Sequence, residues 1–457
     1  MKCTFNFFFL VIFIITAVNS QSVCNLESSD LADIVNTPCF IDKTLLLKEV
    51  LESPRVVLLT SPRRFGKSTN LSMIKRFFEV TVDDKGKEKK VNDTLNYNLF
   101  QRNNLKICGY PKFFSDQLGQ YPVVLVDYKP LEKVTTFESM LEQFRHVLLH
   151  TFEEHIYLIE NPKLWTDDFN KEQFLRFIHP THNRHLKTAE IKTGLKHLLN
   201  LLFKHFKRKV MVLLDACDSY IETLLFQNNP DTEIIMAFVK SVNDVLLNAQ
   251  EYVSKVVISG MLRVDHTVIG SASDNFSFLG DHSSSNYCGF NAIEVKSLIK
   301  RLKKSNYSEE YNKITEYHGG YRVMNRDISL YSTGSVLNYL CRDTKVSSFR
   351  RKNGYLNIFK YALNLSEISQ IIQSLLAGKT VCVNVSKSFT TDNIATLNEL
   401  MISGKVKSKE AVDLFLVYLY YLGYLSPEKD TVSAKGSVPV TVPNKEVHLE
   451  LNSMLRK

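Results

Sequence analysis

The segment from Arg55 to Phe78 constrains this chain most. Arg55 to Thr60 (RVVLLT) runs directly into Ser61 to Thr69 (SPRRFGKST), after which Leu71, Ile74, Phe77 and Phe78 recur at helical spacing. A short apolar run bounded by turn residues predicts a buried strand, and the spacing behind it predicts a helix with one apolar face. A strand that turns through such a loop into a helix aims successive backbone N–H groups at one point, which is the arrangement that cradles a phosphate. Gly66 permits close backbone approach, Lys67 is placed to neutralise β- and γ-phosphates, and Ser68 is placed to ligate Mg²⁺. Thr69 closes this loop of candidate nucleotide contacts. The general pattern opens with another Gly, and position 61 is Ser.

A bare Gly-Lys-Ser occurs by chance on helix ends, so the surrounding pattern decides. Further apolar runs at Tyr121 to Tyr128, Lys209 to Asp215 and Lys255 to Met261 alternate with helical patterns at Phe137 to Tyr157, Thr188 to Phe206 and Glu233 to Ala249. Strands alternating with long helices predict a mainly parallel sheet covered on both faces. Asp215 ends its strand at the carboxyl edge, where the metal-directed carboxylate of a phosphate-transfer fold belongs. The next position normally carries the carboxylate that orients and deprotonates water, and here it is Ala216. Loss of a positioned base costs about 10²- to 10⁴-fold in rate. Asp218 is the candidate substitute, or else a helix-capping or outer-shell Asp. Ser259 is a candidate polar sensor of the γ-phosphate, or a capped strand end.

At 457 residues the chain exceeds what one hydrophobic core usually organises. With 44% hydrophobic residues, 29 Phe and 20 Tyr, extensive disorder is excluded. The net charge of +9 is dispersed over clusters such as Lys207-Arg208-Lys209 and Arg350-Arg351-Lys352. No aromatic-basic reader motif accompanies them, so a nucleic-acid partner is not expected. Lys2 precedes an apolar run from Phe5 to Val18, followed by Val18-Asn19-Ser20, the pattern of a cleaved secretory signal. That run falls short of the roughly 20 residues of a membrane span, and no span is expected in the mature chain. Cys24, Cys39, Cys108, Cys217, Cys288, Cys341 and Cys382 remain beyond the signal, with no zinc-type spacing. Cys24 with Cys39 is a candidate local disulfide, and Cys217 and Cys382 read as buried thiols. Asn-x-Ser/Thr acceptors stand at Asn70, Asn92, Asn275, Asn306, Asn364 and Asn384, although glycosylation at Asn70 conflicts with a folded loop helix.

The stretch SPRRFGKSTNLSM resembles the AAA-ATPase-like family, whose members carry an Arg-Pro-Arg-Arg-Phe-Gly-Lys-Ser type loop. FIDKT (Phe40 to Thr44) is similar to its entry motif, LLDACD to its Asp-Glu-Tyr-Asp strand end, and VVISGM to its Thr-Gly sensor strand. Downstream, YHGGY (Tyr317 to Tyr321), GSVLNYL (Gly334 to Leu340), YLYYLGYL (Tyr418 to Leu425) and VPNKEV (Val442 to Val447) are similar to its lid and C-terminal motifs. The chain departs at Ser61, where the family has Arg, and at Ala216 and Cys217, which replace Glu-Tyr. Many members continue into a nuclease domain; this sequence ends soon after VPNKEV, so nuclease activity is not expected. The resemblance implies that Arg63 and Arg64 lie beside the phosphates, and Arg suits planar phosphate contact; surface charge flanking the loop is the plainer alternative.

Together these readings predict an α/β P-loop NTPase fold: residues 1–20 as a signal peptide, 21–285 as the nucleotide domain, 286–345 as a helical lid-like region, and 346–457 as a small α+β region. The expected function is a secreted, degenerate scaffold that binds ATP and Mg²⁺ with weak or no hydrolysis and acts through an unidentified protein partner. An active Mg²⁺-dependent ATPase using Asp218 is the first alternative, and a basic nucleic-acid-binding protein the second.

Overall fold

The structure is a computed structural model, and it describes residues 24–165, 168–265, 274–276, 279–280, 283–302, 306–341, 359–385, 388–404, 408–428 and 437–455. The expected signal segment therefore lies outside the described residues.

Four long strands, β1 (Val56–Thr60), β2 (Val123–Asp127), β3 (Val210–Asp215) and β4 (Val253–Gly260), and a short β5 (Asp274–Phe276) form one parallel sheet in the order β2-β3-β4-β1-β5. Their apolar residues alternate between two cores, as the two-residue period of a strand requires. Val57, Leu59, Met211, Leu213 and Val257 face one core with the helix α1 (Lys67–Phe78) and the N-terminal helices Leu31–Ile34 and Leu46–Glu52. Val56, Leu58, Val212, Leu214, Val256 and Ile258 face the other, packed by α2 (Phe137–Glu153), α3 (Thr188–Phe206), α4 (Ser219–Phe226) and α5 (Thr232–Leu247). That second core runs without interruption into the C-terminal region, through Phe389, Phe415, Tyr418 and Tyr424. This is an α/β P-loop-type architecture, with a parallel sheet sandwiched between helices.

The boundaries expected for β1, β2, β3 and α3 agree with those observed to within two residues. Downstream of the sheet lie α6 (Ala292–Arg301), α7 (Tyr307–His318) and α8 (Thr333–Cys341), together with a small antiparallel sheet in which β8 (Ser329–Tyr331) pairs with both β6 (Phe290–Asn291) and β7 (Tyr321–Arg322). The expectation there was helices alone; strands of two or three residues carry too little periodicity to register in a sequence.

Two expectations are corrected. The end of the chain, SVPVTVPNKEVHLEL, reads as extended, but only Ser437–Thr441 is a strand, paired antiparallel with Val381–Asn384, and Lys445–Leu455 is a helix. Asn444 caps that helix, accepting from the Val447 N–H at 3.1 Å, and Val447, Leu451 and Met454 bury one stripe at helical spacing. Cys382 is exposed rather than buried, because the alternation of strand Val381–Asn384 turns Val383 inward and Cys382 outward.

Candidate functional site

A cavity of about 690 Å³ opens at the carboxyl edge of the sheet. Arg63 to Thr69, Lys129, Asp215, Ala216, Asp218, Met261 and Gly334 are among the residues that line it. The loop enters from β1 with its first residue, Ser61, fully buried and its N–H bonded to the Gly260 carbonyl at 3.2 Å. Gly66 has φ +91°, and a Cβ built there would meet nothing within 4 Å. Its glycine is therefore required by backbone conformation, and the space before it stays open to a ligand. The N–H groups of the first turn of α1 point into that space by helix geometry.

Lys67 bends back over the loop and donates to the carbonyls of Ser61 at 2.6 Å and Pro62 at 2.9 Å. Enclosure lowers its pKa, opposed by the charges of Asp218, Cys288 and Asp215. Ser68 Oγ donates to Asp215 Oδ2 at 2.7 Å, and Ser259 Oγ donates to Asp215 Oδ1 at 2.5 Å. Strand β4 lies between β1 and β3, which is why Ser259 reaches the carboxylate that ends β3. Five residues separated by up to 192 positions, Lys67, Ser68, Asp215, Asp218 and Ser259, thus meet on one cavity wall or directly behind it.

Asp215 has a further partner that the sequence reading did not single out. Lys129, two residues past β2, places Nζ 2.8 Å from Asp215 Oδ2. Because Asp127 pairs in register with Asp215, any basic side chain just beyond β2 arrives beside the end of β3. Burial pushes the Asp215 carboxyl up, but Lys129, Ser259 and Ser68 outweigh it and hold the pKa below the usual carboxylate value.

The hydrolytic side of the cavity differs. Ala216 adopts φ +55°, an uncommon conformation for a residue with a Cβ. Its N–H donates to Ser259 Oγ at 3.3 Å, and the Cys217 N–H donates to the Ser259 carbonyl at 2.9 Å. Asp218 is 2% exposed, and its Oδ2 accepts from the backbone N–H groups of Met261 at 2.7 Å and Leu262 at 2.6 Å. Burial raises its pKa against those two hydrogen bonds and the charge of Lys67. This carboxylate fastens the turn after β3 to the end of β4.

Arg63 and Arg64 diverge. Arg63 Nη2 sits 2.9 Å from Glu132 Oε1 and 2.5 Å from Glu222 Oε2, so two carboxylates already balance its charge. Arg64 has φ +66°, and its carbonyl accepts from the Gly334 N–H at 2.9 Å. A Cβ added at Gly334 would lie 2.6 Å from Arg64 Cβ, so only glycine lets α8 approach this closely. Phe65 packs edge-on against Tyr321, with ring centroids 5.1 Å apart. The downstream motifs therefore converge on the loop itself: the end of YHGGY on Phe65, and the start of GSVLNYL on Arg64. YHGGY is held in turn by VPNKEV, where Asn444 Nδ2 donates to the Gly319 carbonyl at 2.7 Å and His318 Nδ1 meets Glu446 Oε2 at 3.0 Å, both side chains buried. Lys43 of FIDKT bridges to Glu294 of α6 at 2.7 Å.

At the cavity rim Cys24 and Cys39 are joined as a disulfide, and Cys341 Sγ lies 2.8 Å from Cys24 Sγ and 3.3 Å from Cys39 Sγ. The sequence spacing gave the local pair; the third sulfur, 302 positions away from Cys39, was beyond its reach.

The open loop and the helix N-terminus facing the cavity form an arrangement that can receive a phosphate group. Mg²⁺ takes oxygen donors; Ser68 and Asp215 are donors of that type, but the Lys129 ammonium already rests on the carboxylate oxygen that faces Ser68, so the set as arranged fits a cationic side chain better than a metal.

The comparisons agree with this geometry. No curated protein matches the chain. A family model described as Predicted AAA-ATPase matches residues 30–270, more than half of the chain, and takes in the loop, Asp215, Asp218 and Ser259. A parallel sheet carrying that loop and that carboxylate, together with the match, makes the chain a member of the AAA-ATPase-like family.

Proposed function

We propose that this protein binds a nucleoside triphosphate at the Gly66-Lys67-Ser68 loop, hydrolyses it weakly or not at all, and acts by presenting the loaded scaffold to a protein partner. The observation that carries this reading is the contrast at the end of β3. Asp215 keeps its Ser68 partner, while position 216 is Ala and the nearest downstream carboxylate, Asp218, is buried and committed to two backbone N–H groups. A general base needs a carboxylate free to take a proton from water, and Asp218 Oδ2 is already held by two backbone N–H groups.

In this account Lys67 exchanges its loop carbonyls for phosphate oxygens, Gly66 and the first turn of α1 donate backbone N–H groups, and Ser259 and Ser68 hold Asp215 in place. Lys67 would neutralise phosphate charge from the loop side of the cavity. Arg63 fixes Glu132 and Glu222 rather than reaching the phosphates, and Arg64 ties the loop to α8. Residues 5–18 support passage through the secretory pathway. If glycans are attached, the exposed acceptors Asn92, Asn306, Asn364 and Asn384 carry them, whereas Asn70 is 4% exposed and donates to the Tyr287 carbonyl.

The test is equilibrium binding of a fluorescent ATP analogue to the purified protein and to Lys67→Ala. The expected outcome is saturable binding that weakens at least about 30-fold in the variant, the scale of a lost charge-assisted contact (~2 kcal/mol). Equal binding by both proteins would contradict a phosphate site at this loop.

A further inference from the structure

We infer that Lys129 takes the place of Mg²⁺ as the cation between Asp215 and the bound phosphates, so that this chain holds a nucleoside triphosphate without a divalent ion. The inference rests on the nucleotide reading above and adds the form in which the ligand is taken: the metal-free polyphosphate.

Several observations lead there. Three of the roughly four acceptor positions of the Asp215 carboxylate are taken, Oδ1 accepting from Ser259 and Oδ2 from both Ser68 and Lys129. Ser68 and Asp215, the two donors a metal would use, are bonded directly to each other at 2.7 Å. Ser68 gives its proton to Asp215 and keeps its lone pairs, so the obstacle to Mg²⁺ is the ammonium: the ion gives up its waters reluctantly, and reaching Oδ2 means displacing Lys129. Lys129 is also held in place by its backbone. Its N–H donates to Asp127 Oδ1 at 2.9 Å, and Lys129 and Pro130 start a 3₁₀ turn that ends at Lys133. Its side chain remains 48% exposed and lines the cavity, so the ammonium faces the space the phosphates would occupy. A lysine ammonium carries three donors, enough to bond Asp215 and a phosphate oxygen together. Arg63 is held at 2.9 Å or closer by both Glu132 and Glu222, whereas Lys129 has one close carboxylate, Asp215 at 2.8 Å, with Asp127 farther off at 3.6 Å.

The experiment titrates fluorescent ATP analogue into the purified wild-type protein, Lys129→Met and Lys129→Arg, each with excess Mg²⁺ and with excess EDTA, reading Kd. The expected result is a wild-type Kd that changes less than about threefold on metal removal. Lys129→Met should weaken at least about tenfold in EDTA and recover with Mg²⁺, while Lys129→Arg, which keeps the charge, should stay near wild type. A tenfold loss corresponds to 1.4 kcal/mol. Equal metal dependence in wild type and Lys129→Met overturns the inference, whether both proteins need the ion or neither does. Absence of binding by wild type under both conditions instead overturns the nucleotide reading, and the inference falls with it.

Discussion

The loop end of the cavity and the strand end beyond Asp215 treat their charged groups in opposite ways. At the loop, the partners of Lys67 are two backbone carbonyls that a phosphate can replace, and Gly66 leaves open space in front of them. Three residues past Asp215, the carboxylate of Asp218 is buried and bonded to the backbone N–H groups of Met261 and Leu262. One end is built from exchangeable contacts and the other from fixed ones. A site that binds needs the first kind, whereas a site that turns over needs a free base as well, and under the proposed reading the strand end serves the scaffold instead.

If the strand end is structural, its removal should cost stability before anything else. Asp218→Ala leaves the Met261 and Leu262 N–H groups unpaired in the interior, and about 3 kcal/mol of folding free energy should be lost by urea denaturation. A variant as stable as wild type would break the comparison by freeing Asp218 for chemistry.

The next effect separates scaffold from cavity. His155 is buried away from the site, with Nδ1 3.1 Å from the Tyr157 hydroxyl, and burial together with the charge of Lys75 lowers its pKa from 6.5 to about 3. The unfolded chain takes up a proton that the folded chain refuses, so stability is complete above pH 6.5 and declines on acidification toward pH 3. By pH 5 about 2 kcal/mol should be gone, and His155→Leu should flatten that limb while leaving nucleotide affinity at pH 7 unchanged. An acid limb identical in the variant would assign the loss to other groups.

Smallest is the expected effect of Gly334→Ala. The added methyl would lie 2.6 Å from Arg64 Cβ, which the backbone holds in place, so α8 or the loop must shift and about 1.5 kcal/mol of destabilisation is expected, read as a fall in melting temperature. Nucleotide affinity should weaken alongside it, because α8 and the loop share the contact. Unchanged affinity at reduced stability would show that α8 supports the fold without shaping the loop.

The loop end was largely legible in the sequence. Strand, glycine, lysine and helix follow one another within Arg55 to Phe78, and local order carries the whole arrangement. Asp215 and Ser259 were legible because strand ends in a parallel sheet meet at one edge. Lys129 and the fastening of Asp218 were not, since both depend on which strands are neighbours and on the register of β2 with β3. The third cysteine at the rim and the packing of Tyr321 on Phe65 join residues more than 250 positions apart, beyond any periodicity. The helix Lys445–Leu455 was misread because Val-His-Leu-Glu-Leu alternates over a window shorter than the cap and stripe that determine it.

The central claim is that phosphate binding has outlived hydrolysis, and single-turnover cleavage of radiolabelled ATP by excess protein with Mg²⁺ tests it most directly. The account predicts that wild type releases phosphate no faster than Lys67→Ala while Ala216→Glu, which restores a carboxylate beside Asp215, exceeds both. Mg²⁺-dependent cleavage by wild type that disappears in Lys67→Ala would contradict it.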